Sequence, residues 1–520
     1  MKIWFWLLVF FIIGGRSVWA TEYFVATNGS DSNTGTSNNL PLLKIQTAIN
    51  KARAGDTVYV HGGTYKEGVG FSGSGTNTAR IVVLAVANEN PIIDGSGVSV
   101  KNDGLVQFMD NANYITFSGF TVKNSPTQGI ANRGSNNIIS NNKILLSQNT
   151  AIWHRFGTNT VFRNNEVFFN IRMNATLASD AGVTCNTSAS WWDAAMNSQN
   201  SSGVLWEGNY VHDNCGEGIV AHTGDKVIGN KFKDNWSVNI YVDNGTGIII
   251  DKNFMYETET APIPISSGYG YKKIASGVTI ADENSPCNTS DNTISNNIIV
   301  NTRYGFGFYQ YNSCSGIKAT KIVNNTFINS WDYGIRIVGS SAVNSGSVIA
   351  NNIVYSTRGK AMILENPADF KVQNNLWYFA GGDSTGQFQW GATERDFTAW
   401  SGTSPSQILG NIWADPQFLN SLSTIVDSIA KVKTTSPAID GGSQLVVTND
   451  YGGASRPQGL RVDIGAFEFG GSASPAVIVG NFNGDSVVDM LDFVFWKKEY
   501  LAGRMTLLDF GIWKKAYLGV

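Results

Sequence analysis

Charge is scarce in this chain of 520 residues: Asp, Glu, Lys and Arg together make 15%, and the net charge is −3. Without a basic excess there is no electrostatic footprint for a phosphate backbone, which argues against nucleic acid as a partner. Proline is sparse too, 12 residues against 56 glycines, so turns must rest on Gly and Asn. Cysteine is limited to Cys185, Cys215, Cys287 and Cys314. No pair has C-x-x-C spacing, which argues against a zinc site; one or two disulfides fit better, with the local pairing Cys287–Cys314 favoured among three full connectivities. The middle of the chain also lacks any amphipathic helix of useful length.

The first 20 residues read as an export signal. Lys2 supplies the charge, "IWFWLLVFFII" is an apolar run of 11, and "SVWA" ends in small residues. A run this short cannot cross a bilayer, which takes about 20 residues. Cleavage after Ala20 and a secreted or cell-surface location are expected, with no membrane span left. An uncleaved N-terminal anchor is the alternative.

What is abundant is a repeat. "IISNNKI", "VFRNNEV", "VLWEGNYV", "VIGNKF", "IIDKNF", "TISNNII", "IVNNTF", "VIANNIV" and "VQNNLW" end their shared phrase on Asn142, Asn165, Asn209, Asn230, Asn253, Asn297, Asn325, Asn352 and Asn375. The successive spacings are 23, 44, 21, 23, 44, 28, 27 and 23. In each double gap, one coil either lacks the phrase or carries an insertion. A period of this size, made of short runs of Ile, Val and Phe, is the mark of a solenoid, since one rung cannot bury its own apolar face. Leucine-rich repeats share the period but need leucines and a helical or extended return. The pattern therefore predicts an all-β chain, a right-handed parallel β-helix. Each echo is one corner of a rung, where asparagines hydrogen-bond in a ladder and tolerate a left-handed backbone.

Residues 21–469 form the solenoid on this reading, with 21–70 as its entry and 435–469 as a closing module. Helical spacing over 42–52 predicts a short helix capping the open N-terminal end. The stretch "GSDSNTGT" through "GDTVYV" and "GTY" resembles the entry of secreted β-helix proteins, including polysaccharide lyases of the alginate-lyase and chondroitinase type. That resemblance implies the architecture and leaves the activity open. After a linker at 470–477, residues 478–520 carry "DFVFWKKEYL" and "DFGIWKKAYL" at an offset of 17. Before the first copy, Asn481, Asn483, Asp485, the Val487 carbonyl, Asp489 and Asp492 fall at positions 1, 3, 5, 7, 9 and 12 of a calcium loop. This tail resembles dockerin, which implies a helical module binding Ca²⁺ and docking on a cohesin-type scaffold protein. Ser486 stands where the turn glycine belongs, and the second copy keeps only Thr506 and Asp509, so one calcium site is expected. A calcium-stapled helical hairpin without a partner is the blander reading.

Function on a solenoid belongs to its outer face. Alternation along the strand after each corner turns two columns outward. One holds Arg133, Arg155, Gln199, His222, Asp243, Ala281, Tyr309, Val338 and Glu365; the other holds Trp153, Asn197, Val220, Tyr241, Thr279 and Arg336. Polar and aromatic types converge in the middle rungs. His222, Asp243, Asp282, Glu283 and Tyr241 are the catalytic candidates; Trp153, Arg155, Trp191, Trp192, Tyr309 and Arg336 are the substrate-binding ones. Two long excursions, one with Trp191 and Trp192, flank this face and suit a linear chain. An exported enzyme cleaving a polysaccharide is expected. As a hydrolase it would pair Asp243 with Asp282 or Glu283. As a lyase it would use Tyr241, His222 or Lys272 as base, with Arg155 or a groove Ca²⁺ neutralising a uronate. The competing class is a non-catalytic glycan-binding or adhesive solenoid.

Overall fold

The computed structural model describes residues 20–100, 103–186, 193–258, 274–283, 285–382, 384–445 and 447–470. The tail with its calcium-loop spacing, the export segment 1–19, Trp191, Trp192 and Lys272 lie outside the described residues.

Short strands of mostly three to six residues follow one another round a triangular coil and stack in parallel on their counterparts in the next coil. Among the described residues this makes a back sheet of 14 strands starting at Glu22–Val25, a side sheet of 13 starting at Gly63–Tyr65, and a front sheet of 13 starting at Val69–Phe71. The chain is a parallel β-helix, and its rungs hold one register. Ile138 pairs with Val161, Val161 with Leu205, Leu205 with Lys226 and Lys226 with Ile249. The double spacings in the repeat are therefore insertions, because the rungs on either side of each are direct neighbours: Val161 with Leu205, and Ile249 with Thr293.

The back-to-side corner carries the asparagine ladder. Asn230 Oδ1 accepts from both the backbone N and Nδ2 of Asn209, each at 2.9 Å. In turn, Asn230 donates from both nitrogens to Asn253 Oδ1. The same pairing runs from Asn142 to Asn375 and on to Asn411, a tenth member outside the sequence repeat. These side chains are almost fully buried, so only complete hydrogen bonding makes them tolerable. The left-handed residue at this corner is the one before the ladder asparagine: Asn164, Gly208, Gly229, Lys252, Asn296 and Asn324 all have φ between 51° and 63°. That division of labour leaves the ladder side chain pointing inward while its neighbour makes the turn.

Inside the coil, like stacks on like. Phe71 and Phe108 lie 4.4 Å apart between ring centroids, as do Phe162 and Trp206. At the N-terminal end the helix Ile45–Lys51 buries Ile45, Ala48 and Ile49, and the Glu67 carboxylate accepts from its first amides, Ile45 N and Gln46 N. At the other end the helix Phe397–Ser401 buries Trp400, whose ring stacks on Phe388 at 4.3 Å. Residues 441–463 run along the flank. The side-chain amides of Asn324, Asn351 and Asn374 donate to the carbonyls of Asp463, Ser443 and Gly441. Disulfides join Cys185 to Cys215 and Cys287 to Cys314.

Candidate active site on the front sheet

The front sheet leaves its outer side free for function. Register places Trp153, Asn197, Val220, Tyr241, Thr279, Gly307 and Arg336 in one column, each the direct neighbour of the next. Asp243, Ala281, Tyr309 and Val338 form the second column. Both columns agree with the alternation in the sequence.

The centre is a meeting of acids around a phenol. The Tyr241 hydroxyl donates to Glu283 Oε1 at 2.6 Å, and the Glu283 amide donates to Asp243 Oδ1 at 3.1 Å. Burial, then the hydrogen bond to Glu283, pushes the Tyr241 phenol well above its usual range. It is a hydroxyl that stays protonated. His222 is half-buried, with Nε2 3.4 Å from Asn197 Oδ1, and burial lowers its pKa to about 4. Its imidazole is therefore neutral at physiological pH.

Asp282 leaves the site. It is 1% exposed, and its carboxylate accepts from Thr289 N, Thr289 Oγ1 and Gly316 N. Next to Glu283 in sequence but on the opposite side of the chain, it holds a turn together. A catalytic role for it gives way to a structural one.

Two acids complete the centre, and neither was among the sequence candidates. Glu217 stands on the outer side one rung before the Tyr241 strand. Burial, then the nearby charges of Glu283, Asp193 and Asp243, pushes its carboxyl up to about 8. Asp193 is raised as well, chiefly by burial. Simple alternation fails at this point because two consecutive residues face inward. Register pairs Ala194 with Glu217 and Met196 with Ile219, and a Cβ on the intervening Gly218 would meet the core ring of Phe232. Gly277, Gly305 and Gly334 repeat this inward step against Ile299, Phe327 and Val354. The recurring glycine before the strand's first apolar residue is the signal that would have found Glu217.

The ends of the column carry guanidinium groups on aromatic rings. Arg155 lies over Trp153 (5.1 Å) and Phe156 (4.5 Å). Arg336 lies over Tyr304 (5.1 Å) and Tyr309 (4.6 Å). Trp153, Arg155, Tyr309 and Arg336 thus share the face with the acidic centre at some distance from it. Among the described residues no three His, Cys, Asp or Glu side chains are grouped closely enough to hold a metal ion.

Stacked coils with an acidic outer centre define a parallel β-helix with a site on one face. The family described as "Pel9A-like, right handed beta helix region" matches residues 23–352, and the chain belongs to it. It is 24% identical to pectate lyase L of Dickeya chrysanthemi over 439 residues, covering 76% of this chain and 97% of that protein. It is 33% identical to pectate lyase PEL9 of Emericella nidulans over 145 residues, which span 24% of this chain and only 35% of PEL9. Among solved structures, XylC in complex with xylose superposes with a TM-score of 0.54 at 13% identity, covering 87% of this chain and 99% of XylC, a likeness of fold alone.

Proposed function

We propose that this protein is a polysaccharide lyase that cleaves a chain laid along the outer side of the front sheet. The carrying observation is the convergence of Glu217, Tyr241, Asp243 and Glu283 inside the span matched by the Pel9A-like family. Relatives named as pectate lyases support the reaction type.

In β-elimination a base takes the proton beside the uronate carboxyl, the electron pair forms a C=C bond, and the C–O bond to the departing sugar breaks. Asp243 is assigned the base. Tyr241, which keeps its proton, supplies the departing oxygen. Glu217, protonated below about pH 8, donates a hydrogen bond to the uronate carboxylate and so offsets its charge without adding another. Glu283 holds the Tyr241 hydroxyl in position.

Glycoside hydrolysis is the second reading, and Glu217 favours it: a carboxylic acid kept protonated beside the Asp243 carboxylate is the division of roles such enzymes use. Incubation with pectate, alginate and neutral xylan separates the two. Elimination produces unsaturated, ultraviolet-absorbing ends in step with reducing ends; hydrolysis produces reducing ends alone. No product from any of them removes both and leaves the adhesive solenoid.

Export is supported by the N-terminal signal and by the two disulfides. A calcium-bound, cohesin-docking tail is supported by the spacing from Asn481 to Asp492.

A further inference from the structure

The column through Tyr241 has a symmetry that cleavage at its centre does not require. Trp153 lies three rungs before Tyr241 and Arg336 three rungs after it, each about 14 Å away at the usual strand spacing. Beside Trp153 sits Arg155, so each end of the column presents one guanidinium on an aromatic platform.

These two guanidiniums differ from others on the same face. Arg133 pairs with Asp110 at 2.5 Å, and Arg303 pairs with Asp332 at 3.0 Å. Among the described residues Arg155 and Arg336 have no carboxylate partner. Arg155 Nε and Arg336 Nη1 are buried from solvent without a hydrogen-bond acceptor. A desolvated donor left unpaired is costly, and such groups are retained where something outside the chain completes them. The rings hold each guanidinium flat and spend little further side-chain freedom on binding. Between the centre and Arg336 the column offers only Thr279 and Gly307, so no large side chain of that column obstructs the path.

We propose that Arg155 and Arg336 are carboxylate receptors that fix an acidic polysaccharide at two points, about three sugar units to either side of the cleavage centre. A planar guanidinium matches a carboxylate through two parallel hydrogen bonds, a fit that an ester cannot reproduce. The protein then acts within long chains and reads free acid groups distant from the bond it breaks. This rests on the proposed site for its centre, but its test is binding and needs no turnover.

The experiment uses the full chain carrying Asp243→Asn, so that substrate survives, and measures Kd for polygalacturonate, for its methyl-esterified form and for dextran sulfate. The parent should bind the free acid at least tenfold more tightly than the ester. Arg155→Ala and Arg336→Ala should each weaken binding of the acid about tenfold and leave the ester unchanged. The double variant should lose about a hundredfold, since six rungs, about 29 Å, separate the two sites. Arg→Lys at either place should restore only part, because charge returns without the planar fork. A trimer of galacturonate, too short to reach either end from the centre, should be insensitive to both substitutions.

Equal affinity for acid and ester in the parent overturns the proposal, as does a preference that survives in the double variant with its thermal unfolding unchanged. Tighter binding of the sulfate than of the acid also overturns it, as a general anion surface. Should Asp243→Asn retain full turnover, the assigned centre fails while the binding pattern still decides the receptors.

Discussion

The Tyr241 hydroxyl lies 2.6 Å from Glu283 Oε1 and donates to it across the step from one coil to the next. Tyr241 belongs to the strand Val238–Asp243, while Glu283 follows the strand Ser276–Ala281, so only stacking brings them together. The bond does two things. It aims the phenol at the outer face, and it helps keep the proton on oxygen.

A phenylalanine at 241 removes the proton donor but keeps the ring. Tyr241→Phe should lower kcat by about 10²- to 10⁴-fold, the usual worth of general acid–base help, with a much smaller change in KM. Steady-state rates on the substrate that wild type turns over, alongside an unchanged melting curve, check this. An equal loss from Glu283→Gln would be surprising, because the amide oxygen still accepts from the phenol and only the charge is gone.

Glu217 gives the pH dependence its sign. Its carboxyl is pushed up to about 8, so the protonated form prevails below that value and is lost as pH rises through it. Turnover should therefore fall on the alkaline side near pH 8. Glutamine cannot ionise, yet it still offers a hydrogen-bond donor. If Glu217 serves to meet a uronate carboxylate, Glu217→Gln should stay active within about tenfold and lose the alkaline fall. If Glu217 delivers the proton in hydrolysis, the same variant should lose about 10²- to 10⁴-fold at every pH. The kcat/KM profile of this one variant distinguishes the two chemistries.

The coils were legible in the sequence because stacking repeats the same physical demand at every turn. An asparagine that must satisfy its neighbours above and below cannot vary, so Asn142 through Asn375 announce the corner. Tyr241 and Asp243 followed from alternation, since a strand with a packed inner side shows its other residues to solvent. Glu217 stayed hidden because Gly218 folds inward beside Ile219 and breaks the alternation just where the acid stands. Asp282 and Glu283 are adjacent and equal in chemistry. Only the position of Thr289 and Gly316, set by a later turn, decides which of the two is pulled inside.

The ladder and its turn residue should respond to substitution in opposite directions. Asn230→Ala removes the acceptor for two nitrogens of Asn209 and the donor to Trp206 O and Asn253 Oδ1. Buried groups left unpaired cost roughly 1–3 kcal/mol each, so a loss of about 3 kcal/mol is expected. Lys252 holds φ 57°, where neighbouring rungs place asparagine or glycine. Left-handed backbone costs an ordinary residue about 1–2 kcal/mol, partly offset in glycine by its freer unfolded chain. Lys252→Gly should thus stabilise by about 0.5 kcal/mol. Chemical denaturation of both variants, at a common slope, tests the pair.

Glu257 is the deepest acid of the described coils, fully shielded, with Oε1 accepting from Asn239 Nδ2 at 3.0 Å. Asn239 in turn accepts from Asn235, so this carboxyl ends a second line of buried amides that begins at Asn170. Burial, reinforced by Asp234, raises its pKa well above that of an ordinary glutamate. The unfolded chain ionises near pH 4.3, whereas the folded one resists doing so. Its contribution to stability is therefore fully present below about pH 4.3 and drains away as pH rises toward the folded value. Glu257→Gln keeps the acceptor for Asn239 and removes the titration. Melting curves at a fixed scan rate should show the variant gaining on wild type steadily from acid to neutral pH, with the difference smallest at the acid end. A constant difference across that range would mean that Glu257 carries its charge inside the fold, and that the line of amides ends on an anion.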